Sequence, residues 1–154
     1  MKFFTIEWWS GDVENQMSVF DEYSEHIERI RSQLQADHMV LLNDVSLHDS
    51  HLTNLAVSCA DDSLVIELDG YGFDVSTNSH FGRYFSLIYD GVVSFVSTAD
   101  ADKGLPGPHG YGDLGYDEID ILDSGVFEHR MLFSSGIVLK VKHRKFALRY
   151  TDVE

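Results

Sequence analysis

The chain has 154 residues and a formal net charge of −15 at pH 7, from 11 Lys and Arg against 26 Asp and Glu. Such a surface repels a phosphate backbone or an anionic bilayer, which argues against nucleic-acid and membrane partners. With 44% hydrophobic and 24% charged residues the composition is that of one globular domain over 1–154, and the single Cys59 leaves no internal disulfide framework and no Cys-rich zinc site.

No apolar run approaches the roughly 18–20 residues that cross a bilayer. The opening Met1 to Trp9 also lacks the long apolar stretch of a signal peptide. The expected location is therefore a reducing cytoplasm. The charge is uneven: residues 1–80 carry a net −12 and residues 81–154 a net −3. Lys140, Lys142, Arg144, Lys145 and Arg149 fall in ten residues without an acid, and read as the solvated face of a strand.

Residues 3–8 read as a short strand with Phe4, Ile6 and Trp8 on one face. Ser10-Gly11-Asp12 is a turn, with Asp12 a candidate helix cap. Val13, Met17, Phe20, Ile27, Ile30 and Leu34 recur at spacings of three, four and seven, which predicts one amphipathic helix over about 13–36. Arg29, four residues after Glu25, is placed to pair with it.

Beyond residue 37 the period becomes two, giving a β-rich region over about 40–150. Leu55, Val57 and Cys59 alternate, so Cys59 is expected in the core. Leu64, Ile66 and Leu68 alternate next, closed by Asp69-Gly70. Phe85, Leu87 and Tyr89 lead into Asp90-Gly91 and then Val92 to Val96, which predicts a hairpin. Runs at 119–122, 126–133, 137–141 and 146–150 predict a four-strand meander. The fold class is therefore α+β: a mostly antiparallel sheet, sandwich or open barrel, with one N-terminal amphipathic helix packed on it. Residues 99–116, with both prolines and five glycines, read as a long loop, either a functional lid or a crossover.

His48, Asp49 and His51 form the densest polar cluster. Imidazole and carboxylate ligate zinc or iron, with a third ligand to come from His80, His109, His129 or His143. In a strand, positions 48 and 51 point to opposite faces, and the cluster would then cap a strand entry through Asp49 and Ser50. Asp100 to Lys103 starts like a calcium loop but has Leu105 where glycine is needed. Gly107 to Gly112 lacks a phosphate-loop ending. Asp61-Asp62 and Asp117-Glu118 would make a glycosidase-type pair only across a cleft. No cofactor motif and no serine-nucleophile motif is present. Tyr111 and Tyr116, in the glycine-rich stretch, are the expected exposed contact residues.

Phe3-Phe4-Thr5-x-Glu7-Trp8, the Leu47-His48-Asp49-Ser50 step, and the late segment Tyr116-Asp117-Glu118-Ile119 to Phe127-Glu128-His129 resemble a family of small uncharacterised bacterial proteins. The Leu-His-Asp strand entry is similar to one in immunity proteins encoded beside polymorphic toxins. The resemblance implies an α+β, mostly antiparallel domain and a toxin-neutralising or scaffolding role. The leading expectation is a non-catalytic cytoplasmic binding protein that meets a basic partner through acidic surface, with His48, Asp49, His51, Tyr111 and Tyr116 as candidate binding residues. The alternatives are a metal-dependent hydrolase using His48, Asp49 and His51, and a small-molecule binder with the 99–116 loop as its lid. The sequence leaves oligomeric state open.

Overall fold

The computed structural model describes residues 1–11, 17–99, 110–122 and 125–153. Among them the elements are α1 (Ile6–Trp9), α2 (Ser18–Ile30), a 3-10 turn (Arg31–Gln33), α3 (Ala36–Asn43) and eight strands. The strands are β1 (Ser50–Ser58), β2 (Ser63–Asp74), β3 (Ser79–Asp90), β4 (Ser94–Thr98), β5 (Asp113–Ile121), β6 (Phe127–Phe133), β7 (Val138–His143) and β8 (Lys145–Val153). They form one antiparallel, open sheet in the order β4-β7-β6-β5-β1-β2-β3-β8. No helix among the described residues is long and apolar enough to cross a membrane.

The single long helix expected over 13–36 is replaced by separate helical pieces. The proposed cap at Asp12 and the stripe residue Val13 lie outside the described residues. Within α2 (Ser18–Ile30) the covered positions after Ser18 are Val19, Tyr23, His26, Ile27 and Ile30, recurring at spacings of three and four. Met17 is 73% exposed and Phe20 41% exposed, so the apolar stripe read from the sequence is only partly the buried one. Arg31, not Arg29, carries the helix ion pair, with Glu28.

Two further helices stand where the sequence suggested strand or loop. Residues 3–8 are not a strand; Thr5 caps α1 by accepting from the Trp8 N–H. At α3, Gln35 and His38 form a reciprocal cap. Gln35 also reaches the sheet: its amide accepts from Phe146 N–H, and Asp37 accepts from Leu148 N–H. Two side chains thus cap the N-terminal part of the edge strand β8.

The core confirms Leu64, Ile66, Leu68, Phe85, Leu87 and Tyr89 as a buried face. Asp69-Gly70 does not end that run. β2 continues to Asp74, because Gly70 and Gly72 mark close approach: a Cβ there would overlap Ser50 Oγ or the Phe81 ring. In β1 the register shifts between Leu52 and Asn54, so Thr53 is an inserted residue. Leu55 and Val57 then oppose Ile66 and Leu64, but the sheet end is uncovered. Val57 is exposed, and Cys59 lies exposed past the strand rather than in the core.

Asp90-Gly91 is not a hairpin. Gly91 has φ +60°, yet β3 and β4 lie at opposite ends of the strand order. The meander likewise has three strands, β5-β6-β7, because β8 leaves it to pair with β3. Two short links therefore join the ends of the sheet. Val93 N–H donates to Lys142 O and Arg144 N–H to Asp90 O, which ties the links together. Side chains of β3 and β6 meet in the fold thus formed, as Tyr89 and His129 do.

Candidate functional site

The sheet is nearly split between β1 and β5. Only Ser50–Leu114 and His51–Asp113 pair there, after which the strands part. A bulge at Gly115 marks the parting; its backbone lies so close to the Trp9 ring that a Cβ would overlap it. The freed Ile119 N–H donates to the Tyr23 hydroxyl of α2, at 2.9 Å. A helix side chain thus replaces the missing strand.

The opening holds a recess of about 280 Å3 lined by Tyr23, Ser46, His48, Tyr116 and Asp117, among others. Behind it runs a buried chain of polar groups. Asp117 Oδ2 lies 3.0 Å from His129 Nε2, and His129 Nδ1 lies 2.7 Å from the Tyr89 hydroxyl. A carboxylate only accepts, so Nε2 carries a proton toward Asp117, while Nδ1 shares its bond with the Tyr89 hydroxyl. Burial pushes the Tyr89 hydroxyl well above its ordinary pKa, with the Asp117 charge adding to this, so it stays protonated. Both Tyr89 and His129 are almost fully buried, whereas the Asp117 side chain is 24% exposed.

Next to this chain His38 Nε2 and His143 Nε2 stand 3.3 Å apart, inside the core. Burial lowers His38 to about 3, with the neighbouring His143 and His129 adding to the shift. Burial lowers His143 to about 4, against a bond from its ring to the Val141 carbonyl. Both are neutral at pH 7, and His38 stacks on Phe146 as an aromatic core residue would.

A second polar cluster sits on the opposite face of β5 and β6. Arg130 bonds Glu118 and Asp120, each at 2.7 Å, and Glu128. Glu118 is fully buried, and its carboxylate also accepts the backbone N–H groups of Lys2, Phe3 and Phe4. Lys2 and Lys142 lie 3.6 Å from Asp120 and Glu128, so three cations meet three carboxylates. Burial would raise the Asp120 carboxyl, but Arg130 outweighs it and holds it below its ordinary value. His26 Nε2 lies 3.2 Å from Asp120 without hydrogen-bond geometry, and burial lowers the ring's pKa. The cluster locks the N-terminal segment to the sheet.

The residues expected from sequence are scattered by this geometry. His48 and Asp49 are exposed and pair with each other at 3.0 Å, in the loop that lines the recess. Asp49 takes φ 62°, the left-handed turn that starts β1. The Asp49 and Ser50 side chains do not cap the strand entry: Asp49 holds His48, and the buried Ser50 Oγ has no partner. His51 turns away to Asp113, at 2.7 Å. A wider groove of about 470 Å3 gathers His48, Asp49, His80 and Arg83 on the other side of the loop. His129 and His143 are in the core, and His109 lies outside the described residues. Among the described residues no three His, Cys, Asp or Glu side chains are grouped to hold a metal.

Tyr111 and Tyr116 are half-buried rather than exposed. Tyr111 packs on Phe133 and bonds Ser97. Tyr116 belongs to β5 and packs among Phe4, Trp8, Trp9 and His48. The expected 99–116 loop therefore ends sooner, at Asp113, and its residues 100–109 lie outside those described. Asp117 and Glu118, adjacent in sequence, face opposite sides of β5 and form no carboxylate pair across a cleft. Sequence reasoning missed the Tyr89–His129–Asp117 chain. The signal available was a polar residue, His129, at the centre of an apolar strand pattern.

No family model matches this sequence, and no curated protein does. Among solved structures the chain is similar to an uncharacterised protein from Neisseria gonorrhoeae, at 12% identity and a TM-score of 0.43, over 68% of this chain and 93% of that one. At that score the likeness carries no argument about function.

Proposed function

We propose that this chain is a non-catalytic binding protein that meets a basic protein partner through the acidic exterior of its first half. The observation that carries the reading is the division of acidic residues between surface and interior. Ten of the thirteen described acids in residues 1–80 are exposed, whereas Glu118, Asp120 and Glu128 of the second half are buried around Arg130. On α2, Asp21, Glu25 and Glu28 follow at spacings of four and three and share one face. Exposed Met17 and Phe20 adjoin that face and supply the apolar contact that charge alone does not. Such a face accelerates encounter with a basic surface and selects against acidic ones. An immunity-type protein that neutralises a basic toxin is one form of this role, and rests on the resemblance of the Leu47-His48-Asp49-Ser50 step.

The test is co-purification from lysate at low and high salt, with Asp21→Lys/Glu25→Lys as the comparison. Recovery of a basic protein that salt and the double substitution both release supports the reading, because exposed charges are screened within about 10 Å at 0.1 M salt. Recovery of no protein under either condition overturns it.

A further inference from the structure

We propose that the recess between α2, the 44–49 loop and β5 binds a guanidinium or alkylammonium group on the Asp117 carboxylate. The Tyr89–His129 chain holds Oδ2 from behind, and Oδ1 accepts no hydrogen bond from the described residues. Two buried polar side chains thus fix the direction of a carboxylate that itself opens to solvent, which is how a binding group is preorganised.

The polar part of the lining suits a cation, and its aliphatic part, Leu42 and Val45 included, suits the carbon chain that carries one. Tyr23 and Ser46 bring hydroxyls, Tyr23 and Tyr116 bring aromatic surface, and among the described residues no Lys or Arg borders the recess. Guanidinium and ammonium groups donate but never accept, and they also favour aromatic neighbours. Arg31, just past the end of α2, is already bound to Glu28. At about 280 Å3 the space takes the end of one side chain or one small amine, not a larger ligand. The net charge of −15 draws cations toward it.

The experiment titrates the full chain with ethylguanidinium, and with a short capped arginine peptide, at constant ionic strength. Calorimetry and NMR follow binding. Saturable shifts confined to Tyr23, Ser46, Tyr116 and Asp117 are expected. Asp117→Asn, which keeps an acceptor for His129 but removes the charge, is expected to weaken binding about tenfold or more. Ser46→Arg places a guanidinium at an exposed position on the recess and is expected to block it while leaving the buried chain intact. Tyr89→Phe keeps the ring but frees His129 Nδ1. As a positioning residue it should shift the His129 ring nitrogen signals along with the affinity.

Equal affinity for both probes identifies a free small cation as the ligand. Tighter binding of the peptide identifies an arginine side chain of a protein. No saturable shift with either probe overturns the proposal, as does undiminished binding by folded Asp117→Asn or, if that variant does not fold, by Ser46→Arg. The α2 substitutions Asp21→Lys/Glu25→Lys lie outside the recess and should leave cation binding within about twofold, since exposed charges contribute little locally. This site and the partner-binding face can therefore fail separately.

Discussion

The two buried polar clusters of this sheet solve one problem in opposite ways. On one face of β5 and β6, Arg130 and its three carboxylates stay charged and satisfy one another, with two lysines at the rim. On the other face, His38, His143, His129 and Tyr89 pack among aromatic rings, and burial keeps His38 and His143 neutral. A buried charge must be paired, whereas a buried imidazole can shed its charge instead. The charged cluster binds the N-terminal segment to the sheet; the neutral one holds Asp117 at the mouth of the recess.

The contrast breaks first at Arg130. Arg130→Met leaves three carboxylates to share the two half-exposed lysines at the rim and should cost about 3–5 kcal/mol in denaturant unfolding at pH 7. A cost below about 1 kcal/mol would mean that the carboxylates relax to water and that the cluster is not a sealed unit.

The neutral cluster should reveal itself in acid. His38 and His143 have folded-state values of about 3 and about 4, below the ordinary 6.5 of the unfolded chain. Below pH 6.5 the unfolded chain takes up protons that the native state refuses, so stability is full above pH 6.5 and falls toward pH 4. Each histidine should contribute a slope of about 1.4 kcal/mol per pH unit across that window. Thermal unfolding between pH 7 and pH 4 measures it, and His143→Phe should remove one histidine's share. An unchanged slope in that variant would place the acid sensitivity elsewhere.

Glu118→Gln sharpens the division by removing one charge and keeping the shape. It leaves an amide N–H2 facing Arg130 or the N–H groups of Lys2, Phe3 and Phe4, and should cost roughly 1–3 kcal/mol. Hydrogen exchange at residues 2–4 should rise more than exchange in β7. The smallest effect belongs to the surface version of the same chemistry. Glu28→Ala removes the exposed pair with Arg31 and should change stability by only about 0.2–0.5 kcal/mol.

What the sequence made legible was local. The alternation of Leu64, Ile66 and Leu68, and of Phe85, Leu87 and Tyr89, survives in the buried face because each residue meets an apolar neighbour across the strand. A glycine was misread where it serves crowding: Asp69-Gly70 looked like the end of a strand, but Gly70, like Gly72 after it, permits close approach within β2. Cys59 was misread because alternation says which face a side chain takes, not whether anything covers that face. Of the candidate site, His48 and Tyr116 were found by residue type. Asp117 and His129 were named only for other roles and Tyr89 only as core, because the three come together from three strands.

By itself the chain determined a negative exterior weighted to its first half, and a run of strands after the helices, since net charge and a period of two need no partner to be read. Strand order is another matter. Whether Asp90-Gly91 turns a hairpin or carries the chain to the far end of the sheet depends on which edges find one another, and that is settled by burial between residues distant in sequence. Tertiary structure alone also parted β1 from β5. That opening replaced a strand with the Tyr23 hydroxyl and left one carboxylate, backed by buried His129 and Tyr89, facing water.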